Sequence, residues 1–232
     1  MSERPPFPAD FLNLAGINRQ HVFSLASLPA EVRATLGDTG GFRQLILLGH
    51  GGRLLWDCIK AGGMGGEHPI DDYSVQTVRR WFADFLPGQC YRILYPGECA
   101  VGLQQLGQLA GWHQPSPFML GIDAEWGSWF AYRAVVLADT DFLPFLPARQ
   151  GNPCTACPDR PCISACPAGA LDEDRFSLTR CADYRLQPDS ACALACIARQ
   201  TCPVGSAHRY DDEQIRHSYS RSLAMLRQIV LT

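Results

Sequence analysis

The sequence predicts an α+β protein in three consecutive parts: a mixed globular domain over residues 1–147, a cysteine-rich module over 148–208, and a helix over 209–232 that packs back on the body. Three observations predict this. The 232 residues are 47% apolar and 19% charged, enough to fill a core and too apolar for a disordered chain. In the first part, buried runs of strand length are mixed with three–four helical spacing, in an order that does not repeat strand–helix–strand units. Eight of the 11 cysteines fall within the 49 residues from Cys154 to Cys202, while Cys58, Cys90 and Cys99 are scattered over the first 153. Pro144, Pro147 and Pro153 punctuate the join.

Taken in order, residues 1–20 open polar and Pro-rich and are expected to run over the surface. Residues 29–36 suit a short helix with Pro29 in its first turn, and 42–48 a buried strand. Arg53–Ala61 places Leu54, Leu55, Cys58 and Ile59 on one helical face. A glycine-dense loop, Gly62–Gly66, follows. From Asp71 to Leu86 the apolar positions step by three or four, with Asp71 or Asp72 suited to the N-cap and Pro87-Gly88 to the end. A strand is expected over 90–95, a helix over 99–110 stopped by Gly111, and strands over 118–122 and 129–138, the second long and central. Asp211–Val230 carries Ile215, Tyr219, Leu223, Leu226 and Val230 on one face and reads as the terminal helix.

The net charge of −3 and pI of about 6.0 argue against a free-standing polyanion binder, so no nucleic-acid partner is expected. No run of 18 apolar residues occurs, and no membrane span is expected. The opening Met-Ser-Glu-Arg-Pro-Pro lacks the apolar core of a secretory signal, which points to a cytoplasmic protein. In a reducing compartment a dense cysteine block indicates metal rather than disulfides.

The cysteine spacing narrows the metal. The first group is Cys154-x2-Cys157-x4-Cys162-x3-Cys166-Pro167; the second is Cys181, then Cys192-x3-Cys196-x5-Cys202-Pro203. Bacterial two-cluster ferredoxins use a tight run of three cysteines per [4Fe–4S] cubane and send the fourth, before a proline, to the other cluster. Here the middle gap is widened by Pro158-Asp159-Arg160-Pro161. Carried to both halves, the cross-over rule assigns Cys154, Cys157, Cys162 and Cys202 to one cluster and Cys166, Cys181, Cys192 and Cys196 to the other. No ligand is left over. Two zinc sites and disulfides are the alternatives. Zinc favours paired C-x2-C knuckles, often mixed with His; this block has one C-x2-C, two Cys-Pro steps and no His before His208.

The run Cys-Thr-Ala-Cys…Cys-Ile-Ser-Ala-Cys-Pro-Ala-Gly-Ala-Leu, followed by Arg180-Cys181 and the final Cys-Pro, resembles the two-cluster module of epoxyqueuosine reductases and reductive dehalogenases over about 150–206. Those are corrinoid enzymes whose clusters feed electrons to cobalt. Three stretches of the first part are similar to the cobalamin-processing (cyanocobalamin decyanase) family over about 40–140. They are Leu47-Leu48-Gly49 leading into Leu54-Leu55-Trp56-Asp57, His68-Pro69-Ile70-Asp71, and Trp126-Gly127-Ser128-Trp129-Phe130-Ala131-Tyr132-Arg133 running into Val135-Val136-Leu137. The last also resembles epoxyqueuosine reductases. Both resemblances imply a nitroreductase-like (flavin-reductase-like) core that holds cobalamin at one edge of its sheet. The sequence departs from the reductases where they carry a proton-donating Asp before the helix equivalent to 99–110: here stands Gly97, between Pro96 and Glu98. Their tRNA-binding parts beyond the clusters are not expected in this chain.

On this resemblance the candidate corrinoid residues are Gly63, Gly65, Gly66, His68, Trp129, Phe130 and Arg133. Glycines let a flat macrocycle approach the backbone, or simply make a flexible loop. His68 is a cobalt ligand or proton donor, or a turn residue beside Pro69, and His113 has the same two readings. Trp129 and Phe130 are core residues first. Tyr132 and Arg133 point to opposite faces of one strand, so at most one meets a ligand. Cys58, on the apolar face of its helix, reads as a buried thiol and Cys90 and Cys99 as inert ones, and no glycine fingerprint of a Rossmann site, phosphate loop or Ser/His/Asp order is present. The function expected is an iron–sulfur redox protein. It passes single electrons through two [4Fe–4S] clusters to a corrinoid or other redox centre on the first domain, and is fed by a redox partner protein or small reductant. The alternative is a non-enzymatic ferredoxin-type carrier that docks a partner protein.

Overall fold

The computed structural model describes residues 4–147, 151–172 and 175–230. The chain divides into two compact units, Met1–Gly111 with Phe130–Arg149, and Trp112–Trp129 with Gln150–Thr232. Residues 112–129 thus leave the first unit to fold with the cysteines.

The first unit is built on a four-stranded antiparallel sheet of β1 (Arg19–Ser24), β2 (Gln44–Gly51), β3 (Tyr91–Tyr95) and β4 (Phe130–Ala138), in the order β1-β2-β4-β3. The two central strands are the most apolar. All eight residues of β2 are buried, as are Ala134–Ala138 of β4. Ile46, Leu48, Ala134, Val136 and Ala138 face one core, while Leu45, Leu47, Val135 and Leu137, on the other face, are equally buried. Among the described residues, five α-helices belong to this unit: α1 (Asp10–Leu14), α2 (Ala30–Ala34), α3 (Leu54–Ala61), α4 (Pro69–Phe85) and α5 (Leu103–Leu109). The faces of α3 and α4 that carry Leu55, Trp56, Ile59, Val78, Trp81 and Phe82 close the first core.

Several expectations are corrected. The first 20 residues are not a surface run: Leu12 and Ile17 are fully buried, and a strand begins at Arg19. That strand was hidden by its polar letters, since Arg19 lies over the Phe130 ring and His21 packs against Phe23. α4 starts at Pro69, with His68 rather than an aspartate in the cap position. Pro suits the first helical position, and Asp71 and Asp72 complement the helix dipole from the first turn. The helix expected over 99–110 begins only after Gly102. No strand spans 118–122: Ile122 makes one isolated bridge to Gln114, and Pro115 and Pro117 deny the segment a ladder.

His21 is 3% exposed and packs tilted against Phe23 with ring centroids 4.4 Å apart, and burial pushes its pKa down from 6.5 to about 4. Between those values the unfolded chain takes up a proton that the folded chain refuses, so stability is lost as pH falls through that window. The expected loss is about 2–3 kcal/mol, at about 1.4 kcal/mol per unit. In denaturant titrations His21→Phe flattens the stability slope between pH 7 and 4; parallel slopes for variant and parent would remove this role.

The second unit carries α6 (Pro161–Ser164), α7 (Leu178–Leu186), α8 (Ile197–Thr201) and α9 (Asp212–Val230), joined by turns. Phe118, Ile122, Cys162, Leu171, Ala198 and Cys202 form its main buried cluster, with Cys154, Cys166 and Cys196 against it. Cysteines here do the work of core residues because short helices bring too few large side chains. The long α9 packs on α7 and buries Ile215 and Leu223. Trp129, Tyr210 and Ile215 make a second small core.

Candidate metal centres

Local structure presents the first four thiols. The Cys154 amide donates to Asn152 Oδ1 at 2.9 Å and the Cys157 amide to the Cys154 carbonyl at 3.4 Å, which curls the loop that carries both. Cys162 lies in α6, and Cys202 ends α8 just before Pro203. These thiols act on one another electrostatically. Burial pushes the Cys154 thiol up to about 11, and Cys202, Cys162 and Cys157 add to it against the opposing pull of Arg160. Cys162 is raised by burial and then by Cys202 and Cys157. Burial also raises Cys202, with Cys157 adding and Arg209 opposing.

A second set stands around an apolar cavity of about 300 Å³. Cys166, Cys181, Cys192 and Cys196 line it, together with Phe118, Leu171, Phe176, Arg185, Arg199 and Tyr219. Cys181 comes from α7; Cys196 caps α8, its sulfur accepting from the Arg199 amide at 3.5 Å. Cys181 is raised by burial and then by Cys196, Cys166 and Cys192, with Arg185 opposing. Cys192 is raised by burial, then by Cys196 and Cys166. The donors around the cavity are soft thiols with no carboxylate among them, a set that suits iron–sulfur clusters, zinc or Cu(I). Among the described residues no three His, Cys, Asp or Glu stand as the ligand group of a single metal ion.

Arg185 and Arg199 were not singled out in the sequence. The signal was present: each follows a cysteine, Cys181 or Cys196, by four or three residues, one helical turn away.

The candidate corrinoid residues are dispersed. Gly65 and Gly66 border an open cleft of about 300 Å³ with Met64, Pro69, Asp72 and Tyr73, and Gly63 lies in the same loop. His68 is exposed at the start of α4, its carbonyl accepting from the Asp72 amide. Arg133 Nη1 stands 3.9 Å from Asp71 Oδ1, a half-exposed ion pair worth little by itself. Tyr132, on the opposite face of β4, is directed at Gly107 of α5, and burial raises its pKa. Phe130 is 8% exposed beneath the Arg19 guanidinium. Trp129 belongs to the second unit and is wholly buried, with Arg199 4.4 Å above its ring and Tyr210 edge-on at 5.4 Å. Its ring is part of the small core with Tyr210 and Ile215. His113 is buried too, and burial lowers its pKa.

No protein-family model matches this chain, and no curated protein matches it. Among solved structures the fold is similar to that of epoxyqueuosine reductases. One of these, in complex with a tRNA-Tyr epoxyqueuosine-modified tRNA stem loop, matches with a TM-score of 0.55 and 13% identity over 90% of this chain and 67% of that one. The Bacillus subtilis epoxyqueuosine reductase matches with a TM-score of 0.53 and 12% identity over 88% of this chain and 66% of that one. The chain therefore spans about two thirds of the length of these reductases. The C. elegans B12-trafficking protein CblC gives a TM-score of 0.47 and 14% identity over 90% of this chain and 88% of that one, too slight a likeness to build on. Identities this low show a shared α+β fold and nothing finer. No helix among the described residues is long and apolar enough to cross a membrane.

Proposed function

We propose that the second unit is a ferredoxin-like module holding two [4Fe–4S] clusters, and that it passes single electrons to a redox centre held by a nitroreductase-like first unit. The observation that carries the reading is that Cys166, Cys181, Cys192 and Cys196 line one cavity, while the raised thiols Cys154, Cys162 and Cys202 act with Cys157 on one another and, beyond burial, Cys181 and Cys192 are raised only by members of the cavity set. A cubane, with an iron at each ligated corner, sets its four thiolates wider apart than one ion does, and the second quartet surrounds a cavity. The clusters supply one-electron chemistry when bound. The chain's part is to hold them: Cys162, Cys192 and Cys202 are buried, and Phe118, Ile122 and Leu171 pack in one cluster with Cys162 and Cys202. The reductant is a redox partner protein or small one-electron donor. The acceptor on the first unit is a corrinoid, approached through Gly63, Gly65, Gly66 and His68. The sequence resemblance carries that last step, and the reductase-like fold supports it.

Anaerobic reconstitution tests both halves. About eight iron and eight acid-labile sulfide per chain are expected; stoichiometric zinc without sulfide sinks the cluster reading. Titration with cobalamin should shift its absorption bands if the first unit binds it. A flat titration leaves the ferredoxin-type carrier as the function.

A further inference from the structure

Arg185 and Arg199 are both 8% exposed, both line the second cavity, and neither makes an ion pair among the described residues. Their hydrogen bonds go to neutral acceptors. Arg185 Nε donates to the Cys192 carbonyl at 3.2 Å, its Nη1 to Ser222 Oγ at 3.0 Å and its Nη2 to the Tyr219 carbonyl at 3.1 Å. Arg199 Nε donates to Ser128 Oγ at 3.2 Å and its Nη2 to the Ser128 carbonyl at 2.6 Å, while its guanidinium lies over the Trp129 ring. Burying a charge without an opposite charge is costly, and here it is done twice beside one cavity. All three guanidinium nitrogens of Arg185 donate, and Arg199 donates from Nε and Nη2, so hydrogen bonds fix both side chains beside the cavity. Hydrogen bonds and packing hold them in place for an anionic occupant. At the first quartet the cations are Arg160 and Arg209, both more exposed and therefore better screened.

We propose that Arg185 and Arg199 are fixed counter-cations of the Cys166/Cys181/Cys192/Cys196 centre, and that they hold it at a higher reduction potential than the Cys154/Cys157/Cys162/Cys202 centre. The inference rests on the two-cluster reading above. A thiolate-ligated cubane is anionic and gains one more negative charge when reduced. A nearby fixed cation therefore favours the reduced form, and net charge and hydrogen bonds to sulfur are the levers that set such potentials. The Arg199 amide on Cys196 Sγ acts in the same direction. An electron entering the pair comes to rest at the second centre.

The test is a redox titration of the reconstituted full chain, followed by EPR. Arg185→Gln should lower the reduced-to-oxidised ratio of one centre about tenfold at fixed poise, a shift of about 59 mV for a one-electron couple, and leave the other centre in place. Arg185→Lys, which keeps the charge, should retain most of the parent potential. Cys202→Ala, which spares the second quartet, should leave a centre titrating at the higher of the two parent potentials. An unmoved potential in Arg185→Gln at full iron content overturns the inference, as does an equal shift at both centres. If Arg185→Gln fails to load, Arg185→Lys at the glutamine variant's expected potential, or a lower-potential centre left in Cys202→Ala, overturns it instead. Failure of the cluster reading is separate: the parent itself would then lack iron and sulfide.

Discussion

Cys202→Ala should cut the iron and sulfide of the reconstituted protein from about eight to about four of each, by the two-cubane count. Cys202 is 48 residues from Cys154 in sequence, yet it acts on the Cys154 thiol more strongly than Cys157 or Cys162 does. It is 5% exposed at the end of α8, its amide bonded to the Arg199 carbonyl at 3.3 Å and Pro203 directly behind it. Without Cys202 three thiolates remain, and the cluster they share has an unprotected corner. The other quartet draws nothing from Cys202, so its EPR signal should survive. Cys196→Ala is the mirror case, removing the second signal and sparing the first. Cys58→Ala is the control, because that thiol sits in α3 and contacts the Leu14 carbonyl. Loss of the Cys166 centre in Cys202→Ala, or full iron in that variant, would falsify the partition.

The parts of the fold that were legible share one physical property: a single period of burial. β2 and β4 are apolar on both faces, and α4 and α9 repeat at three to four residues, so each shows itself without its neighbours. β1 does not, because its buried side chains are Arg19 and His21 as well as Val22 and Phe23, and their burial depends on Phe130 and Phe145 from distant sequence. Segment 118–122 failed the other way. Phe118 and Ile122 have the apolarity of a strand, but they serve the cysteine core. The two cysteine groups were legible as motifs because Cys-Pro steps and short spacings are local. The cations at the second cavity were not, since their lack of a carboxylate partner is a fact of tertiary packing. Trp129 shows the limit of a family-like stretch. Gly127-Ser128-Trp129 and Phe130–Arg133 are continuous in sequence but belong to different units.

Gly127→Ala should destabilise the second unit by about 4 kcal/mol or more, the range reserved for backbone strain and overpacking that cannot relax. Gly127 has φ +59°, a conformation that costs any residue with a Cβ. An added Cβ would also meet the Val204 carbonyl oxygen at 2.1 Å and its carbon at 2.8 Å. Those are backbone atoms, so no rotamer change relieves the clash. Gly205, at φ +65°, faces the same contact from the other side, its Cβ position 2.3 Å from the Trp126 carbonyl carbon. The turn is pinned by Asp123, which is 2% exposed and accepts from the Glu125 and Trp126 amides at 2.9 Å, and by paired bonds between the Asp123 and Gly127 backbones. The 123–127 turn cannot deform without unmaking those bonds. Val204 and Gly205 follow Cys202-Pro203 directly, so separating the two segments displaces the fourth ligand of the first quartet. Gly127→Ala should therefore lower the midpoint of denaturant unfolding and also lose iron from the Cys154 centre before the other. Unfolding within about 0.5 kcal/mol of the parent, the range of an ordinary surface change, together with unchanged iron, would show that the segments part freely and that the close approach does not hold Cys202 in place.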